Sequence, residues 1–306
     1  MRFGVTLPHF RHLASPEAIR RIAGHAEKLG LDSLWVTDHV ILPDSAIPKC
    51  GKTFYEPLTV LGYVPGFTSK VAIGTSAIIL PYRNPVVTAK QLSTLDVLSG
   101  GRLIFGAAAG WAEEEFKALE VGFADRGSLS DEHLKTIKAL WTRDHPGIEE
   151  HDRRFSRVHF HPKPLQTPHP PIWIGGNSRR GIRRAAELGD VWHPTRPSVR
   201  DIRVGRRHLA EAVLRAGRQP ENVGTAIREP FKLDETLPAD PRKPLLGPRG
   251  HIAGFAESVP RTRRLSFRCR SVLQHLRLER DDRGLGHARH GDNGERHPSE
   301  HLTDPR

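Results

Sequence analysis

An acidic residue and a histidine, Asp38 and His39, directly follow the second predicted strand of the chain, residues 33–37. Parallel β/α proteins collect their catalytic groups at the carboxyl ends of the strands. A histidine there can donate a hydrogen bond or exchange a proton near neutral pH. The pair therefore predicts an acid–base site. In the alternative interpretation, Asp38 caps the following loop and His39 is merely exposed.

A second candidate site is a turn between a predicted strand, 171–174, and a predicted helix, 178–188. Its sequence is Gly175-Gly176-Asn177-Ser178. Exposed N–H groups, the helix dipole and a serine hydroxyl suit a phosphate group. Arg179 and Arg180 would add positive charge, or they are solvated. A plain strand-to-helix turn without a ligand is the alternative.

Strands and helices alternate seven times along the 306 residues, which predicts a parallel α/β architecture. The predicted strands are 3–7, 33–37, 71–80, 103–109, 171–174, 190–193 and 223–227. With this length, a (β/α)8 TIM-type barrel fits best. Residues 144–169, rich in His, Pro and Arg, are predicted to form an inserted loop or hairpin between strands four and five.

The eighth βα unit is doubtful from the sequence. Residues 249–306 hold twelve Arg, six His and no Lys, and they lack an amphipathic period. A barrel nevertheless needs an eighth strand to close its sheet edges. We therefore predict a barrel domain at 1–250 and an Arg-rich tail at 251–306. The tail is explained equally by a frameshifted reading and by a basic disordered segment.

Composition narrows the class of protein. The net charge of +12 comes from dispersed residues without a zinc-finger or helix-turn-helix pattern, so no nucleic-acid partner is predicted. No apolar run is long enough to cross a membrane.

His159, His161 and His169 lack a carboxylate in metal spacing, so no metal site is predicted. Two isolated cysteines and the absence of a signal peptide predict a cytoplasmic protein.

Several segments together resemble the luciferase-like monooxygenase family over residues 1–250. They are Asp32-Ser33-Leu34-Trp35-Val36-Thr37-Asp38-His39, Gly74-Thr75-Ser76-Ala77-Ile78-Ile79-Leu80-Pro81, Arg83-Asn84-Pro85, Lys90-Gln91-Leu92-Ser93-Thr94-Leu95-Asp96, Ser99-Gly100-Gly101-Arg102, Gly110-Trp111 and Pro171-Ile172-Trp173-Ile174-Gly175-Gly176. The resemblance implies a (β/α)8 barrel with an insertion, commonly dimeric. It also implies a cofactor, either the deazaflavin coenzyme F420 or FMN.

The resemblance assigns roles to individual residues. Asp38 and His39 would lie beside the deazaflavin, and the turn from Gly175 to Ser178 would bind the cofactor phosphate. Ser76-Ala77 matches the position of a non-proline cis peptide that faces the flat ring. The resemblance also places Gly110 among the residues that bind the cofactor.

The chain also departs from the family pattern. Relatives usually alternate glycine with larger residues where this chain has Ala107, Ala108 and Ala109. Relatives that oxidise sugar phosphates with F420 carry a catalytic glutamate in place of Trp111, so that substrate is not expected. Trp111 is predicted to form an apolar wall of the substrate pocket, or else to belong to the core.

The predicted activity is an F420-dependent hydride transfer to or from a small organic substrate, with His39 and Asp38 as catalytic candidates. Two alternatives remain open: an FMN-dependent monooxygenase that uses O₂, and a catalytically impaired relative that only binds the cofactor. A small-molecule substrate and a homodimer are the expected partners.

Overall fold

The computed structural model describes residues 2–146, 148–150, 153–155, 158–240, 245–248, 250 and 265–269. The strands in chain order are β1 (Arg2–Thr6), β2 (Ser33–Val36), β3 (Ala72–Thr75), β4 (Ile78–Ile79), β5 (Leu103–Ala108), β6 (Ile148–Glu150), β7 (Arg153–Phe155), β8 (Ile172–Gly175), β9 (Val191–His193), β10 (Gly224–Glu229), β11 (Lys232–Leu233), β12 (Leu246–Gly247) and β13 (Leu265–Cys269).

Helices separate the main strands. They are α1 (Pro16–Lys28), α2 (Ile47–Cys50), α3 (Pro57–Tyr63), α4 (Pro85–Leu98), α5 (Glu113–Ala118), α6 (Arg126–Thr142), α7 (Arg179–Leu188) and α8 (Val199–Arg215). Short 3-10 turns cover Asp44–Ala46, Val64–Gly66, Leu80–Tyr82 and Pro220–Asn222. None of the helices in the described ranges is both long and apolar enough to cross a lipid bilayer.

Parallel pairings join eight of the strands into a ring. The order is β1, β2, β3, β5, β8, β9, β10 and β13, and β13 pairs back onto β1. At least one helix separates each pair of successive ring strands from β1 to β10 except β5 and β8, which two helices and the β6–β7 hairpin separate, so the predicted (β/α)8 barrel is confirmed. The insertion between the fourth and fifth ring strands contains an antiparallel hairpin, β6–β7, as the sequence predicted.

The eighth ring strand is β13, which the sequence left in doubt. Its residues, Leu-Ser-Phe-Arg-Cys, alternate apolar and polar types, which is a strand signal too short to stand out in an Arg-rich segment. It lies beyond residue 250, inside the predicted tail. The eighth helix of the barrel would fall outside the described residues, and the boundary at 250 stays a prediction.

One strand prediction is wrong in detail. The apolar run at 71–80 is not one strand but two, β3 and β4, interrupted at Ser76 and Ala77. The peptide bond between these two residues is cis, as the family resemblance implied. The run then ends in a 3-10 turn at Leu80–Tyr82. The interruption lies at the carboxyl end of the third ring strand, where Ser76 and Ala77 line a cavity.

Two apolar regions stabilise the barrel. Leu34 and Val36 of β2 belong to the large cluster between strands and helices. Trp35, which points the opposite way, belongs to a separate cluster with Trp173 and Ala226. Trp35 and Trp173 are 4.6 Å apart between ring centroids. Trp35 and Trp173 therefore fill part of the interior of the ring.

A close approach of α8 to β9 supports the turn after β8. Gly205 packs against the Trp192 ring so closely that an added Cβ would lie 2.1 Å from it. The Trp192 indole in turn donates a 2.8 Å hydrogen bond to the Gly176 carbonyl. The glycine in α8 thus lets the indole reach the predicted phosphate-binding turn.

Replacing Gly205 by alanine is expected to destabilise the protein by about 1–3 kcal/mol, because the Trp192 ring must move. The matched control is Gly24→Ala in α1, where an added Cβ meets nothing within 4 Å. There the higher helix propensity of alanine should stabilise by about 0.5–1 kcal/mol. Urea unfolding measures the free energy of unfolding of both variants. A change of the same sign in Gly205→Ala and Gly24→Ala would contradict the close packing of Gly205.

Candidate active site

A cavity of about 960 Å³ opens at the carboxyl ends of the ring strands. Nine of the ten predicted site residues line it: Asp38, His39, Ser76, Ala77, Gly110, Trp111, Gly175, Gly176 and Ser178. They come from the ends of β2, β3, β5 and β8 and from the start of α7. Segments separated in the chain by more than a hundred residues are therefore brought to one cavity.

Asn177 is the predicted site residue that does not line the cavity. Its side-chain amide donates a 2.8 Å hydrogen bond to the Thr195 carbonyl. The Thr195 N–H donates back to the Asn177 side-chain oxygen at 2.9 Å. The residue thus joins the turn after β8 to the turn after β9 and positions the neighbouring Ser178.

Asp38 is buried and fully engaged by other groups of the protein. The Arg83 guanidinium donates to both carboxylate oxygens, at 2.5 and 2.8 Å, and the Ile79 N–H donates at 2.8 Å. Burial raises the pKa of Asp38, and the hydrogen bonds and charge of Arg83 oppose that rise. Arg83 also contacts Glu56 at 3.1 Å. In this arrangement Asp38 positions the end of β2, and Arg83 is its structural partner.

His39 has a carboxylate partner that the sequence reasoning missed. Its Nδ1 lies 2.9 Å from the Oε2 atom of Glu115, the third residue of α5. Glu115 is completely buried. The other oxygen accepts from the backbone N–H groups of Val40 and Ile41, at 2.5 and 3.1 Å. The Tyr82 hydroxyl donates to Oε2 at 2.9 Å.

These contacts determine the charge of His39. Burial alone would lower its pKa, but hydrogen bonds to the Cys50 and Glu115 side chains and the charge of Glu115 raise it to about 9. Burial also works to raise the pKa of Glu115, but its hydrogen bonds outweigh that effect and hold it below the usual value. An imidazolium paired with a buried carboxylate therefore faces the cavity at neutral pH.

A buried histidine and an arginine hold Ser76. The Ser76 hydroxyl lies 2.8 Å from Nε2 of His193, whose Nδ1 is 2.7 Å from the Ala226 carbonyl. In its neutral form the ring therefore carries its proton on Nδ1, and Nε2 accepts from Ser76. Arg228 donates to the Ser76 carbonyl at 2.6 Å. His193 and Arg228 also line the cavity, and neither was predicted.

Small residues form one wall of the cavity. A Cβ on Gly175 would lie 3.3 Å from the Ala108 methyl group and 3.7 Å from that of Ala77. Gly110 has φ +86, and an added Cβ would lie 2.7 Å from Ile79, so only glycine fits there. The carboxyl ends of three ring strands thus present a surface with almost no side-chain bulk.

The start of α7 makes another part of the wall positively charged. Ser178, which the sequence predicted only as a phosphate-binding residue, caps the helix by accepting from the Gly181 N–H at 3.2 Å. Gly176, Arg180 and Arg196 lie around this helix end in the cavity wall. Backbone N–H groups, the helix dipole and the guanidinium groups together suit an anion.

Aromatic rings surround His39. Phe54 and Trp111 lie edge-on to the imidazole, with ring centroids 5.3 and 5.8 Å away. Trp111 is 59% exposed, so it is a wall at the cavity mouth and not a core residue. Within the described residues there is no group of three or more His, Cys, Asp or Glu side chains that could hold a metal ion.

Comparisons with known proteins agree with the fold and with the family resemblance. A sequence model of the luciferase-like monooxygenases matches residues 1–240. An F420-dependent secondary alcohol dehydrogenase, solved with an F420-acetone adduct, superposes with a TM-score of 0.73 at 19% identity. The superposition covers 88% of this chain and 93% of that one. At this identity the likeness concerns the fold.

Two curated relatives differ in chemistry. An FMNH₂-dependent dimethylsulfone monooxygenase of Pseudomonas putida is 31% identical over 152 residues, which is 49% of this chain and 42% of the relative. A phthiodiolone/phenolphthiodiolone dimycocerosates ketoreductase of Mycobacterium tuberculosis is 30% identical over 253 residues, 74% of this chain and 64% of the relative. The chain thus spans less than two thirds of either relative.

The Glu115→Gln variant is expected to lower the pKa of His39 by at least about one unit, because an amide cannot stabilise the imidazolium by charge. The matched control is Glu114→Gln, at an exposed position of the same helix turn. NMR titration of the labelled imidazole measures the shift. Equal pKa values in the two variants would contradict the assigned partner.

The same contact predicts how stability depends on pH. The pKa of His39 is about 9 in the folded chain against 6.5 for a free imidazole. Its stabilisation is therefore fully present below pH 6.5 and is lost as the pH rises to 9. The free energy of unfolding of wild type should exceed that of Glu115→Gln at pH 6 by more than at pH 9.5, as measured by urea unfolding.

Proposed function

Because the chain belongs to the luciferase-like monooxygenase family, we propose that it is an F420-dependent oxidoreductase acting on a small organic substrate. The observation that carries the proposal is the position of His39 in the cavity wall, with its Nδ1 2.9 Å from the buried Glu115 carboxylate, whose hydrogen bond and charge help to raise the pKa of His39 to about 9. Hydride transfer to a carbonyl needs a proton for the oxygen, and a protonated imidazole is a group that can supply it.

The cavity fits a deazaflavin or flavin cofactor. The wall formed by Ala77, Ala108 and Gly175 has the low bulk that a flat ring requires. The start of α7, with Ser178 and Arg180, suits the cofactor phosphate. A volume of about 960 Å³ lies at the upper end of the range for small-molecule sites.

The residues of this chain supply orientation, charge and a proton. When bound, F420 would supply or accept the hydride. His39 donates its proton to the substrate oxygen during reduction and takes it back during oxidation. Glu115 keeps the imidazole oriented and stabilises its charge, so it is a positioning residue. Phe54 and Trp111 contact the His39 ring edge-on and form an apolar surface beside it.

A second candidate function is an FMN-dependent monooxygenase. The 31% identity with an FMNH₂-dependent relative favours it over the part of the chain that is matched. The small-residue wall suits either ring. An impaired cofactor-binding relative is the third candidate, since Ala107, Ala108 and Ala109 replace a glycine-containing pattern. The predicted homodimer remains a proposal.

Fluorescence titration with F420 and, separately, with FMN distinguishes these functions. Saturable binding of F420 at low micromolar concentration or tighter is the expected result. Preference for FMN would favour the monooxygenase. Binding of neither cofactor by folded protein would contradict both enzymatic candidates.

With the bound cofactor identified, His39→Ala is expected to lower turnover by about 10²–10⁴-fold, as for loss of a general acid. Cofactor affinity should change little, because the phosphate site and the small-residue wall are untouched. The matched control is His25→Ala, at an exposed position on α1 outside the barrel. Unchanged turnover in His39→Ala, measured from cofactor absorbance, would remove His39 as the proton donor.

A further inference from the structure

The cavity wall carries far more positive than negative charge. Seven arginine side chains line the cavity, against two carboxylates, those of Asp38 and Asp131. Both carboxylates are already paired, Asp38 with Arg83 and Asp131 with Arg184. The lining arginines therefore exceed the lining carboxylates by five positive charges.

Four of these arginines come from three separate elements around the start of α7. They are Arg126 at the start of α6, Arg180 and Arg183 on α7, and Arg196 in the turn after β9. Within the described residues, no hydrogen bond or ion pair engages the guanidinium of Arg180 or Arg196. The charge of Glu229 also acts on Arg196, but burial raises the pKa of Glu229 to about 8, so this acid is mostly neutral at pH 7.

Arg184 holds the starts of α6 and α7 together. Its guanidinium donates a 2.7 Å hydrogen bond to the Gly127 carbonyl and pairs with Asp131, also on α6. Residues four apart on a helix are neighbours on its surface, so Arg180 lies on the face of α7 that meets the start of α6. Arg126 and Arg180 thus line the same part of the cavity wall.

The start of α6 adds backbone donors to this part of the wall. Gly127 and Ser128 line the cavity, and no hydrogen bond within the described part of the chain uses either N–H group. The Asp125 carboxylate neither caps α6 nor lines the cavity. These N–H groups and the positive end of the helix dipole therefore add to the attraction that the arginines exert on an anion.

A single phosphate group does not balance this charge. A phosphate carries about two negative charges at most, so a phosphate at Ser178 leaves an excess of about three positive charges in the wall. Like charges within about 10 Å of each other repel, even in salt solution. The wall therefore favours a ligand that carries further acidic groups beside its phosphate.

From this geometry we infer that the cavity contains a second anion subsite, formed by Arg126, Arg180 and the first turn of α6. It takes a carboxylate or a second phosphate that the ligand carries beyond the phosphate at Ser178. The inference rests on the proposed function for that first phosphate. The second acidic group belongs either to an extension of the cofactor or to the substrate.

The first test is calorimetric titration of the cofactor-free chain with inorganic pyrophosphate and, separately, with inorganic phosphate. Pyrophosphate should bind the wild type at least about tenfold more tightly than phosphate, because it reaches both subsites. Arg126→Gln should weaken pyrophosphate binding by at least about fivefold and phosphate binding by less than about twofold. The matched control is Arg207→Gln, which removes the same charge at an exposed position of α8 outside the cavity.

Arg180→Gln is the second variant, and it serves if Arg126→Gln does not fold. The Arg180 side chain is exposed and has no hydrogen-bond partner among the described residues, so its loss leaves the packing of α7 intact. This variant should weaken pyrophosphate binding by at least about fivefold, because Arg180 lies in the second subsite.

A second titration identifies the source of the acidic group. F420 carries carboxylates beyond its phosphate, and these can be removed without altering the ring. If the cofactor fills the second subsite, their removal weakens binding to the wild type by at least about fivefold, but weakens binding to Arg126→Gln by less than about twofold. Equal affinity of the wild type for both forms, with the pyrophosphate result upheld, assigns the subsite to an acidic substrate.

Two results of the first test would overturn the inference. They are wild-type binding of pyrophosphate no tighter than that of phosphate, and equal losses of pyrophosphate affinity in the cavity variants and in Arg207→Gln. No cofactor is present in these measurements. Failure of the second subsite is thus distinguishable from failure of the proposed oxidoreductase, which would show as an absence of F420 binding.

Discussion

The buried carboxylate of Glu115 is the contact on which the arrangement of the cavity mouth depends. Burying an ionised carboxylate costs several kcal/mol unless hydrogen bonds satisfy its oxygens. Here the donors are His39, Tyr82 and the backbone of Val40 and Ile41. The same bonds that make burial tolerable hold the loop after β2. They consequently fix both the place and the charge of His39.

Two buried acids thus have different roles at adjacent positions of the barrel. The Asp38 carboxylate accepts hydrogen bonds from Arg83, a group that keeps its proton throughout the physiological pH range. This ion pair therefore stays charged and holds the structure at every physiological pH. Glu115 is satisfied partly by His39, a group that can lose its proton. Of the two pairs, only the second contains a group that can lose its proton, and the first holds the end of β2 in place.

Local patterns were sufficient to predict the position of each ring strand up to β10, though not the break within 71–80, and the collection of site residues at one end of the ring. The contact between His39 and Glu115 was not predictable, because 76 residues separate them. Glu113, Glu114 and Glu115 are chemically alike, and only the rotation of α5 decides which one is buried. Cys50 was missed for a related reason, since a loop of unpredictable path brings it to the cavity.

The link between Asn177 and Thr195 imposes a chemical requirement on one position. Asn177 both donates to and accepts from the same backbone residue, so only a primary amide satisfies both groups. Deamidation to aspartate would replace the donor with a second anionic oxygen facing the Thr195 carbonyl. It would also place a negative charge beside the start of α7. Spontaneous hydrolysis of a single amide would thus turn an anion-attracting helix end into one that already carries an anion.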